Sequence, residues 1–179
     1  FIFLVGAPLV AGEKGVPGVA EVVRVVREAM ASDTGAMSQL DEFAAECDSG
    51  EEYQRALSLY TAHRGQPACN ALIRRVVLKA YHGLPPDPRD ESGLKQAEED
   101  LAGWNLSPGV RALGELYGRR LSRLAPVILT TNFDPLIEVS LRLSGVHCRP
   151  EPYTGTRGAD WIPEEPTIIH LHGFWRRAD

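Results

Sequence analysis

Apolar positions along the chain follow two rhythms, continuous short runs and a helical repeat, and their alternation predicts an architecture. Phe1–Val5 is an unbroken apolar run, predicted as a buried strand. Gly6–Gly18 interrupts it with four glycines and two prolines. Val19, Val22, Val23, Val26 and Met30 then fall on one helical face. A helical middle follows. Asp41–Cys47 is a weak helix, and Glu51–Arg64 is a better one, with Tyr53, Ala56, Leu57 and Tyr60 on one stripe and Gly65 as its stop. Pro67 suits the first turn of a third helix, whose inward face is Leu72, Ile73, Val76, Val77 and Ala80, with Gly83 ending it. The stretch from Gly83 to Gly93 is a proline-bearing loop, and Leu94–Leu101 a short helix.

Ser107-Pro108 reads as an N-cap followed by proline at the first helical position. The apolar face behind it is Val110, Leu113, Tyr117, Leu121 and Leu124, and Pro126 stops it. Val127–Thr131 is the second strand. Asp134-Pro135 opens a helix that runs to Leu143, with Gly145 as its stop. Val146–Arg149 and Thr167–Leu171 are the third and fourth strands, separated by a loop from Pro150 to Pro166. The alternation predicts an α/β fold, a Rossmann-like parallel sheet flanked by helices. The helical middle, about 32–104, would be an insertion between the first and second strands of a single domain covering 1–179. The chain opens inside an apolar run without methionine and ends just after a strand, so it is expected to be a fragment of a longer protein.

Composition narrows the function. The 179 residues suffice for one domain with a real core. A net charge of -5 lacks the basic character of nucleic-acid binders, so no direct nucleic-acid partner is expected. Three well-separated cysteines, without a CxxC pair, argue against a zinc knuckle and for a reducing, cytoplasmic setting. No apolar stretch is long enough to span a membrane.

Three stretches carry candidate chemistry. "GAPLVAGEKGVPG" could offer backbone N–H groups to a pyrophosphate, or could be a plain turn. It lacks the lysine–serine/threonine pair of a Walker loop and the GxGxxG spacing. "TTNFD" stands at the carboxyl end of a strand, the edge where open α/β sheets bind ligands. Asp134 before proline is a good N-cap, and capping is compatible with a second role there. In "IIHLHG", His170 and His172 lie two apart and share a face if the strand extends that far. An HxH pair can also begin a metal site, but such a site needs further ligands, and His63, His82 and His147 show no supporting spacing, so no metal is expected.

The order of these stretches, "GA" with "GVP", then "TTNFD", then "HLHG", resembles the sirtuin superfamily, and most of all its bacterial sirtuin-like branch of antiphage NAD hydrolases. The resemblance implies NAD as substrate. It implies cofactor-loop roles for Gly6, Ala7, Gly15, Val16 and Pro17, with Thr131 and Asp134 also in the cofactor site. Asn132 would sit beside the nicotinamide ribose, Asp134 would engage the carboxamide pocket, and His172 would be the catalytic histidine; His170 stays structural. It further implies assembly, as a homo-oligomer or with a partner protein, through regions outside this segment. Three positions depart from the family pattern: Pro8 replaces the third loop glycine, Val10 an expected serine, and Thr131 the glutamine before the asparagine. Deacylase sirtuins carry a four-cysteine zinc module, which this sequence lacks, so hydrolysis without zinc is expected rather than deacylation. A binding or assembly domain that has lost catalysis is the reading from another class.

Overall fold

The computed structural model describes residues 2–6, 9, 16–119, 124–153, 155 and 163–176. Four strands form one parallel sheet: β1 (Phe3–Val5), β2 (Val127–Thr130), β3 (Arg149–Pro152) and β4 (Thr167–His170). Their order is β1-β2-β4-β3, with Val5 opposite Thr130, Thr130 opposite His170, and Pro152 opposite His170. All four strands therefore end together at one edge. β4 is buried along its whole length, as a central parallel strand should be.

The two outer strands differ from expectation. β1 is not a buried strand: Leu4 is 70% exposed, because β1 lies at the sheet's margin and Leu4 points away from the core that Phe3 and Val5 face. β3 is displaced from the predicted Val146–Arg149 onto Arg149-Pro150-Glu151-Pro152. Arg149 N–H donates to the Pro166 carbonyl at 3.0 Å and Tyr153 N–H to the His170 carbonyl at 3.0 Å. Successive N–H groups point to opposite sides, so the two prolines fall on the outward side, where a missing donor costs nothing at an edge. Apolar run length could not find this strand because it has none.

Seven α-helices flank the sheet among the described residues. α1 (Val19–Met30) buries Val22, Val23, Val26 and Met30, as its periodicity predicts. α2 (Thr34–Glu46) begins well before the predicted Asp41, because the Asp33 carboxylate accepts a hydrogen bond from Ala36 N–H and caps it. α3 (Ser49–Arg64) is capped by Asp48 and ends at Gly65, whose φ of 83° suits glycine. α4 (Gln66–Val77) carries Pro67 in its first turn and passes into a 3-10 turn at Leu78–Ala80, short of the predicted Gly83. α5 (Glu91–Glu99) starts three residues before the predicted Leu94, capped by Asp90. In α6 (Pro108–Gly118), the Ser107 hydroxyl caps Val110 N–H at 3.2 Å. α7 (Leu136–Leu143) follows β2.

Apolar burial is organised in three clusters. Helices α1–α4 enclose their own, around Val26, Met30, Leu40, Leu72 and Val76. A second joins the sheet to α6 and α7 through Val5, Leu113, Ile128, Ile137 and Ile168. The third ties the two together with Val77, Leu94, Trp104, Leu136 and Trp175. No helix among the described residues is long and apolar enough to cross a membrane.

Candidate functional site

The common edge of the strands is where the candidate residues meet. β2 ends at Thr130, which is buried; its Oγ1 accepts from Asn132 N–H at 3.0 Å and turns the chain sharply. Asn132 follows, also buried, and its side-chain Nδ2 has no hydrogen-bond partner among the described residues. A buried amide donor left unpaired is costly, so it marks a place built for something else to accept. Asp134 is buried as well, and its carboxylate accepts from Leu136 N–H at 3.1 Å. Its capping bond thus falls two residues on, and Pro135 rather than Asp134 occupies the N-cap position of α7. Burial pushes the Asp134 carboxyl up to about 6; the Leu136 N–H opposes this, the Glu138 charge adds to it, and the His170 charge offsets part of it.

His170, at the end of β4, is wholly buried under this turn. Its Nδ1 lies 2.6 Å from the Asn132 carbonyl oxygen, which can only accept, so Nδ1 carries a proton. Its Nε2 lies 2.7 Å from Glu138 Oε1, and a second proton must lie between them. Glu138 is equally buried, in the first turn of α7. Burial alone would lower the imidazole's pKa; the Glu138 charge and hydrogen bond, with the Asn132 carbonyl and Asp134, outweigh it and leave the pKa raised. Removing one partner of such a buried pair typically costs about 3–5 kcal/mol.

His172 is exposed, two residues further on, in a turn held from several sides. Gly173, at φ 90°, allows the reversal. Trp175 N–H donates to the Phe133 carbonyl at 2.7 Å, joining the segments that follow β4 and β2. Buried Arg74 of α4 donates to the Trp175 carbonyl at 2.7 Å. Arg176 and Arg142 both pair with Glu98 of α5, at 3.0 and 3.6 Å.

A cavity of about 600 Å³ opens at this edge, within the range of small-molecule and cofactor sites. Thr131, Asn132, Asp134 and His172 line it, together with Val16 and Pro17 from the end of the glycine-rich loop. Its remaining wall is helical, mainly Tyr53, Gln54, Leu57 and Ser58 of α3 with Ile73 of α4. Gly6 lies at the same edge, next to Val5, whose carbonyl accepts from Thr131 N–H at 3.0 Å, but it lines a separate apolar groove between β1 and α6. Ala7, Pro8, Val10 and Gly15 lie outside the described residues. Among those residues, no group of three or more histidines, cysteines, aspartates or glutamates could hold a metal ion.

Two features escaped the sequence reading. The α3 residues carry no motif, and only the fold brings them opposite Asn132. Glu138 carries no motif of its own either; its position inside the apolar run Leu136-Ile137-Glu138-Val139 was the available signal that it faces inward.

Comparison with known families bears on the same stretch. A profile described as the SIR2-like domain matches residues 126–179, which hold β2, α7, β3, β4 and the His172 turn. This part of the chain is similar to the SIR2-like domain. SIR2-like domains bind NAD, and the family is in general NAD-dependent and enzymatic. No curated protein and no solved structure matches the chain.

Proposed function

We propose that this chain is the catalytic part of an NAD glycohydrolase, which splits the nicotinamide–ribose bond to give nicotinamide and ADP-ribose. The observation that carries the reading is the cavity at the strand ends, where Asn132, Asp134 and His172 meet Val16 and Pro17 and where the Asn132 amide has no partner among the described residues. That donor suits an oxygen of the substrate, a ribose hydroxyl or the carboxamide. Asp134, with a pKa near 6, can serve the carboxamide as an acceptor when ionised and as a donor when protonated.

The chemistry needs no redox step. Water attacks the ribose carbon bearing nicotinamide, the carbon–nitrogen bond breaks, and its electron pair leaves with the ring, which departs neutral. The attacking water gives up a proton, and the His172 imidazole at the cavity wall is the acceptor, later releasing it to solvent. Positive charge grows on the sugar as in other glycoside cleavages. Gly6, Ala7 and Gly15 belong to the pyrophosphate loop in this reading, Thr131 flanks the ribose site, and the stretch of about 32–104 is an insertion that roofs the cavity. A wall of this kind favours a small attacking molecule over a protein acyl-lysine, which supports hydrolysis over deacylation. By resemblance, the reaction would deplete cytoplasmic NAD during antiphage defence, in an assembly with other copies or partners.

Pro8 and Val10 favour one competitor, a domain that binds NAD or ADP-ribose without cleaving it, since proline removes an N–H from the loop. Product analysis of the full-length protein with NAD, beside calorimetric binding of ADP-ribose, separates the two. Nicotinamide release supports the hydrolase; binding without release supports the competitor.

A further inference from the structure

The buried Glu138–His170 pair lies directly beneath the candidate site without touching the cavity. Three buried groups form one line: Glu138 Oε1 meets His170 Nε2 at 2.7 Å, and His170 Nδ1 meets the Asn132 carbonyl at 2.6 Å. The Asn132 peptide is held from its other side by Thr130 Oγ1, which accepts its N–H at 3.0 Å. Both backbone polar groups of Asn132 are thereby fixed, while its side-chain amide has no partner among the described residues at the cavity. An imidazole can make its Nδ1–H bond only in one tautomer or as the cation, and the partner on Nε2 fixes the orientation of the ring. A purely apolar core would serve stability as well here, since burying an ion pair gains little over good packing.

We infer that Glu138 is a positioning residue: acting through His170, it holds the Asn132 backbone so that the Asn132 amide meets the substrate. This rests on the reading that Asn132 serves NAD cleavage. His170 thereby gains a role beyond filling the core. The titratable groups facing the pair are Asp134, on the same β2–α7 segment, and Cys148 before β3, whose thiol approaches the Glu138 carbonyl at 3.7 Å.

The test compares Glu138→Gln with Glu138→Leu in the full-length protein, with turnover expressed per folded molecule. Glutamine keeps the shape, and its amide can donate to Nε2 of a neutral imidazole, leaving Nδ1–H on the Asn132 carbonyl. Leucine fills the space but leaves Nε2 without a partner. Glu138→Leu should lower kcat about 10²-fold, the scale of a misplaced group, with KM for NAD changed far less, and Glu138→Gln should restore most of the loss. A second readout is the ¹⁵N-labelled side-chain amide of Asn132, whose resonance should move in Glu138→Leu and stay near its native position in Glu138→Gln. If both variants keep native kcat and native Asn132 signals, or if both lose kcat equally, the positioning role is overturned. If the native protein cleaves no NAD, it is the catalytic reading that fails. The pair is then judged by the Asn132 resonance alone, and an unmoved signal in Glu138→Leu overturns the inference.

Discussion

Helices α1–α4 and the segments around the ends of β2 and β4 each enclose a buried cluster, yet they treat polar groups differently. The α1–α4 core is apolar, built on Val26, Met30, Leu40 and Val76, and apart from buried Arg74, which reaches towards Trp175, its charges stand outside in pairs such as Arg24 with Glu21 and Arg55 with Glu51. At the strand ends, Thr130, Asn132, Asp134, Glu138 and His170 are buried together. One carboxyl there is pushed up to about 6 by burial, and the Asn132 amide is left without a partner among the described residues. A chain optimised for stability alone would bury the first kind of residue in both places. The contrast marks the strand ends as the region whose composition is set by something other than packing.

The largest effect that could break this contrast is on turnover. His172→Ala and Asn132→Ala should each lower NAD cleavage about 10²–10⁴-fold, the usual range for lost acid–base help, while thermal unfolding of the exposed His172 variant stays native. Leu40→Ala, in the helical core, should do the reverse. It removes about 2–5 kcal/mol of stability by denaturant titration and leaves kcat per folded molecule unchanged, because Leu40 lines no part of the cavity.

The pH dependence sharpens the comparison. Asp134 ionises near 6 when folded against an ordinary 3.8. Between those values the unfolded chain gives up its proton first, so stability falls as pH rises from about 4 to about 6, by about 3 kcal/mol in total. Asp134→Asn, which can still accept from Leu136 N–H, should remove that slope and raise the melting temperature at pH 7. His170 adds a second decline with the same sign. Its pKa is raised in the folded chain, so its stabilisation is complete below its ordinary 6.5 and is lost as pH rises through the higher folded value. Melting curves across pH 4–9 check both. The smallest effect belongs to the exposed helical charges: Arg24→Ala should leave the melting temperature unchanged, because water and salt screen such pairs.

What was legible in the sequence follows the same division. Val127–Thr130 and Thr167–His170 announced themselves as apolar runs, α1 by its valine repeat, and α6 by Ser107-Pro108, since each is specified by local pattern. "TTNFD" and "HLHG" stood out as candidate chemistry because amides, carboxylates and imidazoles at strand ends are unusual, and the fold brings Asn132, Asp134 and His172 to one cavity. Local pattern failed where distant contacts decide. β3 is a proline-bearing edge strand, α2 depends on a cap at Asp33, and Leu4 is exposed because β1 lies at the sheet's margin. Glu138 gains its meaning only from His170, 32 positions away. The helical wall from Tyr53 to Ser58 belongs to the same class, since nothing local connects α3 to Asn132.

The most direct test is to incubate the full-length protein, in its assembled state, with NAD and to resolve the products chromatographically, with His172→Ala and Asn132→Ala alongside. Nicotinamide and ADP-ribose in equal amounts from the native protein, and little or none from either variant, is the predicted result. Native-level release from both variants, or intact NAD in every assembled state of the native protein, would contradict the account.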